Sequence, residues 1–201
     1  MIKNIIFDFG DVFINLDKKL FAEELQKIYI SQKPEEMLPI LQQYEMGLVS
    51  TDKFLTFFEE RLSVSQDKLK RAWNSILLDF PKERLRFIQN LSESKKYRLF
   101  LLSNTNDLHI SWIQKNWGME QYNAFKICFE QFYLSHEINL RKPNNNIYEF
   151  VLTTNKLAAK ETLFIDDTKE NTDAAKKTGL SVWNLQVGKE DVTNLFDNFI
   201  P

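Results

Sequence analysis

Short apolar runs that each end abruptly in a polar residue constrain this chain more than any other feature. Ile5-Ile6-Phe7 stops at Asp8, Leu99-Phe100-Leu101-Leu102 stops at Ser103-Asn104, and Leu163-Phe164-Ile165 stops at Asp166-Asp167. A fourth segment, Leu134 to Leu140, leads to Lys142. Runs this short and this continuously apolar suit strands buried on both faces, as in a parallel sheet covered by helices. In such sheets ligands bind beyond the carboxyl ends of the strands. If the four runs are parallel neighbours, Asp8, Ser103, Asn104, Lys142, Asp166 and Asp167 converge on one edge.

The intervening sequence fits that reading. After residue 82, helical and strand-like stretches alternate. Helices are expected near 82–94, 107–117, 143–155 and 170–178, the last ended by Gly179, with a closing strand from Ser181 to Leu185. Ile127-Cys128-Phe129 and Phe132-Tyr133-Leu134 both read as strands. Between Asp8 and residue 82 the pattern is helical throughout. Leu20, Phe21, Leu25 and Ile28 share one spacing, Phe54, Phe57, Phe58, Arg61 and Leu62 another, and Leu69, Ala72, Trp73, Ile76 and Leu77 a third. Ser65 is placed to cap the last of these, and Pro34 with Glu35 and Glu36 suits a first helical turn. The expected architecture is α/β: a Rossmann-like parallel sheet core built from residues 1–15 and 82–201, with an inserted helical-bundle cap at 16–81.

Composition narrows the function classes. With 26 basic and 28 acidic residues, the net charge of -2 gives no general attraction to nucleic acid or anionic lipid. The insert carries 11 basic and 12 acidic residues over 17–84 and so offers no basic face. No apolar run reaches the ~18–20 residues of a membrane span, and the first aspartate comes too early for a signal peptide. A single cysteine, Cys128, excludes an internal disulfide framework and suits a reducing cytoplasm. Its apolar neighbours suggest a buried, inert thiol. His109 and His136 are too far apart for a helical metal pair, and His109 is expected on a helix surface, with a place lining the site, close after Ser103-Asn104, as the alternative. Phe13, Phe57 and Phe58 are candidates to face a substrate, and Trp112 and Trp117 lack the basic stripe that nucleic-acid stacking would need.

Three carboxylates at one place repel each other unless a cation joins them. Oxygen ligands of this kind suit Mg²⁺ sharing a substrate phosphate. A lysine and a hydroxyl can hold the remaining phosphate oxygens, and an aspartate beside the phosphorus can attack it. The residues therefore point to metal-assisted phosphoryl transfer.

Asp8-Phe9-Gly10-Asp11-Val12, Leu102-Ser103-Asn104-Thr105-Asn106, Arg141-Lys142-Pro143 and Phe164-Ile165-Asp166-Asp167 resemble, in this order, the four motifs of the haloacid dehalogenase superfamily. The insert resembles that family's small helical cap, and the set is most similar to bacterial sugar-phosphate phosphatases of the glucose-1-phosphate type. The resemblance implies Asp8 as nucleophile and metal ligand, the Gly10 carbonyl as a second ligand, and Asp167 as a direct ligand. Asp166 would act through a water or orient Lys142. Ser103 and the Asn104 N–H would hold the phosphoryl group, Lys142 would bridge it to Asp8, and Asn171 would support the last loop. Tyr44, Glu45 and Met46 resemble a substrate-facing cap loop. The implied partner is a small phosphorylated metabolite, and the chain is expected to be a monomer or weak homodimer.

One departure stands out. The position two residues after the nucleophile, usually an acid/base aspartate, is Gly10. General acid–base help is worth ~10²–10⁴ in rate, so the alternative is a catalytically weak phosphate-binding or regulatory protein of the same fold. A substrate with a good leaving group, such as an anomeric sugar phosphate, would need less protonation, and Asp11 is a further candidate. Dehalogenases also lack the second aspartate but have no use for paired carboxylates at 166 and 167. A phospho-accepting receiver domain would carry its acidic pair first in the chain.

Overall fold

The computed structural model describes residues 1–28 and 37–198, so the helical start expected at Pro34, Glu35 and Glu36 lies outside the described residues. Five parallel strands form one sheet among them: β1 (Asn4–Phe7), β2 (Arg98–Ser103), β3 (Gln131–Leu134), β4 (Thr162–Asp166) and β5 (Ser181–Asn184). Their order is β3-β2-β1-β4-β5. Because β1 is central, the chain leaves it toward β2 on one side and reaches β4 on the other. Phe7 is in register with Leu101 and with Ile165, which places Asp8 beside the ends of both neighbours.

Alternate residues of each strand face opposite layers. Ile5, Phe7, Leu99, Leu101, Leu163 and Ile165 pack with residues of α5 (Lys82–Ser94), α6 (Asp107–Trp117) and α7 (Met119–Lys126). Ile6, Phe100, Leu102 and Phe164 pack with Ile147, Tyr148 and Val151 of α9 (Asn145–Thr154) and with Ala174 and Ala175 of α10 (Lys169–Lys177). Burial on both faces is why these strands read as unbroken apolar runs.

A third cluster belongs to the insertion: α1 (Lys18–Ile28), α2 (Leu38–Glu45), α3 (Thr51–Leu62) and α4 (Gln66–Asn74). Tyr44 stacks on Phe54, and Trp73 meets Phe54 and Phe21 edge-on. The segments entering and leaving the insertion run antiparallel. Asn15 N–H donates to Asp79 O at 2.9 Å, Leu78 N–H to Asn15 O at 3.0 Å and Asp17 N–H to Ile76 O at 2.8 Å.

Several local expectations are corrected. Ile127–Phe129 is not a strand but the turn that follows α7, and Ile127 is 82% exposed. Of the residues between 127 and 134, it is Gln131–Leu134 that forms a strand and pairs with β2. The segment to Leu140 is not strand either: α8 (Ser135–Ile138) intervenes, so Lys142 sits in a turn rather than at a strand end. Ile76 and Leu77 lie beyond α4, where Leu77 bridges Leu16. Ser65 occupies the N-cap position of α4 without a side-chain hydrogen bond.

Phe125 is fully buried, and its ring lies 5.0 Å from those of Phe13, Phe80 and Phe129. Phe125→Ala is expected to lose about 3–5 kcal/mol of stability in urea unfolding. Ile127→Ala, two residues on, should stay within about 0.5 kcal/mol of the parent.

Candidate active site

The carboxyl edge of the sheet brings Asp8, Asp166, Asp167 and Lys142 together. Lys142 Nζ donates to Asp8 Oδ1 and to Asp166 Oδ2, each at 2.6 Å. Lys142 is 1% exposed, Asp166 is fully buried and Asp8 nearly so. Asn104 explains how a lysine in a turn comes to this point. Its side-chain amide donates to Lys142 O at 2.9 Å and its Oδ1 accepts the Lys142 N–H at 2.9 Å. The sequence marked Asn104 for its backbone; the structure adds this clamp by its side chain.

Asp166 is satisfied on both oxygens. Oδ1 accepts from Thr168 N–H at 2.8 Å and Oδ2 from Lys142, while the Asn171 amide donates to both at 3.1 Å. These bonds suit a residue that orients Lys142, one of the two roles expected of it. Asp167 is oriented differently: it lines an open cleft of about 380 Å³ with Asp8, Gly10, Lys18, Asn104, Arg141, Lys142 and Asn171. Oxygen atoms of Asp8, Asp166 and Asp167 lie within 4.8 Å of one another. A set of hard oxygen donors this close fits a divalent cation such as Mg²⁺.

Electrostatics follow from burial. The Asp8 carboxyl is pushed up to about 7, first by burial and then by Asp166 and Asp167, with Lys142 pulling the other way. Burial draws Lys142 down, but Asp166 and Asp8 outweigh it and hold the ammonium above the ordinary lysine range.

Other expected residues are distributed less simply. Ser103 is buried and borders a second, mainly apolar cavity of about 270 Å³ under the insertion, which shares Gly10, Leu16 and Asn104 with the cleft. His109 also lines this cavity rather than an outer helix surface. Its ring stacks on Trp73, its Nε2 lies 3.1 Å from Trp73 O, and burial lowers it to about 4. Asp11 is turned away: Oδ1 accepts the Leu16 N–H at 3.0 Å and Oδ2 pairs with Lys18 at 2.7 Å. Phe13 and Phe58 are packing residues in the core and the insertion. Tyr44 is buried and bonded through its hydroxyl to Thr51, whereas Glu45 reaches the cavity and pairs with Arg141 at 3.0 Å. The Cys128 thiol is buried and pushed up to about 11 by that burial. Lys18 and the Glu45–Arg141 pair were not visible beforehand, because nothing local marks partners that lie 149 residues apart, as Lys18 and Asp167 do, or 96 apart, as Glu45 and Arg141 do.

A parallel sheet with paired carboxylates and a buried lysine at its switch point, under a helical insertion, defines a class of α/β enzyme acting on anionic substrates. Its family is haloacid dehalogenase-like hydrolase, which matches residues 5–185, and the chain belongs to it. The D-ribitol-5-phosphate phosphatase of Bacteroides thetaiotaomicron is 26% identical over 197 residues, 94% of this chain and 95% of that protein. A HAD-family enzyme of Bacteroides thetaiotaomicron, solved as the wild-type protein with magnesium and inorganic phosphate, is 37% identical with a TM-score of 0.81, covering 98% of this chain and all of that one. A HAD-like family hydrolase of Porphyromonas gingivalis is 27% identical with a TM-score of 0.82, covering 94% of each chain.

The raised Asp8 value has a consequence for stability. The folded chain binds the Asp8 proton more tightly than an unfolded chain, whose aspartates titrate near ~3.9. Stability is therefore lost as pH rises from about 4 through about 7. With chelator present, Asp8→Asn, which keeps an oxygen for Lys142, is expected to melt above the parent at pH 8. The gap should close at pH 4 in a thermal-unfolding series.

Proposed function

We propose that the chain is a Mg²⁺-dependent phosphatase of a small phosphorylated metabolite, of the sugar- or polyol-phosphate class, working through an aspartyl-phosphate on Asp8. The observation that carries this reading is the juxtaposition of Asp8, Asp166 and Asp167 within 4.8 Å, with Lys142 bonded to both Asp8 and Asp166. The ribitol-phosphate phosphatase relative and the magnesium- and phosphate-bound structure support it. The reading as a catalytically weak binding protein is not favoured, since the curated relative is itself a phosphatase.

In this reading an Asp8 oxygen attacks the phosphorus and the ester P–O bond breaks, with its electron pair going to the leaving oxygen. Lys142 holds a phosphoryl oxygen and favours the ionised form of Asp8 against the burial that opposes it. Ser103 Oγ and the Asn104 N–H take further phosphoryl oxygens, and water then cleaves the acyl phosphate at phosphorus. Asp8, the Gly10 carbonyl and Asp167 would hold the cation, while Asp166 orients Lys142. When bound, it lowers the repulsion between the carboxylate and the phosphate and polarises the P–O bonds.

Gly10 supplies no proton to the leaving oxygen, and Asp11 is committed to Leu16 and Lys18. The second cavity, beside Gly10 and Ser103, is the proposed seat of the leaving group. Residues 1–15 with 82–201 act as the catalytic core and 16–81 as the cap, a division supported by the insertion's own apolar cluster and the paired connectors. The large exposed apolar side chains belong to separate elements, among them Leu38, Leu48, Met119, Ile127 and Phe196, which supports a monomer or weak homodimer. No helix among the described residues is long and apolar enough to cross a membrane. With the single unpaired Cys128, this supports placement in the cytoplasm.

Purified protein is expected to release phosphate from one or more members of a panel of sugar and polyol phosphates, anomeric and terminal. Chelator should abolish release and Mg²⁺ restore it. Asp8→Asn should be silent, and Lys142→Ala should lose about 10²–10³ in kcat. Undiminished release by Asp8→Asn would remove the proposed nucleophile.

A further inference from the structure

Lys18, the first residue of α1, is a contact that the phosphatase reading leaves without a role. Its Nζ lies 2.7 Å from Asp167 Oδ2 and 2.7 Å from Asp11 Oδ2. It thus joins the loop after β1 to the loop after β4 from the entry to the insertion. The two carboxylates differ in freedom. Asp11 is fixed, in a left-handed backbone conformation (φ 54°) with Oδ1 held by the Leu16 N–H. Asp167 lines the open cleft, with Thr168 Oγ at 3.4 Å as its further partner. Lys18 itself is 57% exposed along its side chain and can move without opening the core.

Charge at the edge is also informative. Lys18 pairs with Asp11 and Asp167, and Lys142 with Asp8 and Asp166, so four carboxylates are matched by two ammonium groups. With all six ionised, this group carries two negative charges, and the Glu170 carboxylate on the same cleft adds a third while Arg141 is paired with Glu45. A Mg²⁺ ion sits ~2.0–2.1 Å from its oxygen ligands. It and an ammonium on the same carboxylate repel each other.

We propose that Lys18 is a positioning residue that competes with the divalent cation for Asp167, with Asp11 as its second seat, so that metal occupancy is transmitted to the first helix of the insertion. The proposal rests on the metal reading of the site given above. Binding of the cation moves Lys18 fully onto Asp11. Because Lys18 opens α1, and Asp17 beside it is tied to Ile76 and Leu20, this shift acts at the root of the insertion.

The test is calorimetric titration of the full chain with Mg²⁺, using the parent, Lys18→Gln, Asp11→Asn and the double variant. Lys18→Gln should tighten the dissociation constant about two- to fivefold, the worth of a part-exposed ion pair. Asp11→Asn, which keeps the oxygen for Leu16, should weaken it in the parent and do nothing in the Lys18→Gln background. An unchanged or weaker constant for Lys18→Gln overturns the proposal. So does an equal Asp11→Asn effect in both backgrounds, which plain through-space charge would give. A crystal structure with Mg²⁺ should show Lys18 off Asp167 and on Asp11; Lys18 still on Asp167 beside the ion contradicts it. If Mg²⁺ binds neither parent nor variants, the metal reading falls as well, whereas equal binding to all four removes the competition alone.

Discussion

Asp8 and Asp166 lie buried at the ends of adjacent parallel strands, and Lys142 between them is what allows both to be there. Two carboxylates out of water repel each other and lose hydration, and either would take up a proton if nothing opposed it. A single ammonium at 2.6 Å from each converts the repulsion into a three-centre arrangement. Much of the surrounding structure serves this contact. The register of β1 with β4 sets the spacing of the carboxylates, Asn104 holds the lysine's backbone, and Asn171 and Thr168 occupy the rest of Asp166. The consequence is division of labour among three aspartates of one type. In the proposed reading Asp166 positions Lys142, Asp167 is left facing the cleft, and Asp8 is left with a raised affinity for its proton that a cation would relieve.

The insertion walls the candidate site without supplying Asp8, Lys142, Asp166 or Asp167. Its polar ties to the core include Glu45 to Arg141, Lys18 to Asp11 and Asp167, Ser135 Oγ to Glu45 O, the Leu108 N–H to the Tyr44 hydroxyl and the Asn139 amide to Met46 O. Gly47 shows how close the approach is at one of them, because a Cβ there would lie 2.0 Å from His136 O and its φ is +66°. Beneath the insertion, the polar groups at the cavity's end satisfy one another. Asn106 Oδ1 accepts from the Trp73 indole and from the His109 N–H, which leaves mainly apolar walls around the space next to Ser103.

What the sequence made legible follows from what strands and loops write into it. β1, β2 and β4 are buried on both faces, so their apolar runs and abrupt polar stops marked the sheet, its edge and most of the residues that the structure gathers at the candidate site. Lys142 was identified through its motif but misplaced, since the apolar letters Ile138 and Leu140 imitate a strand where a helical turn and a loop stand. Ile127 misled in the same way: an apolar residue at an exposed turn carries no local sign of exposure. The contacts of Lys18, Asn104 and His109 were not readable, because each depends on which distant segment folds against it. Gly10 was visible as a departure. Its neighbour Asp11 proved to be engaged elsewhere, which only the positive φ at residue 11 and the Leu16 and Lys18 contacts reveal.

The central claim is that Asp8 carries the phosphoryl group during turnover. Rapid acid quench of the enzyme with a substrate and Mg²⁺, followed by peptide mass spectrometry, tests it most directly. The account predicts a phosphoryl mass increment on the peptide containing Asp8, located on Asp8 rather than Asp11 and absent from Asp8→Asn. Turnover with no phosphorylated peptide at any quench time, or with the increment on another residue, would contradict it.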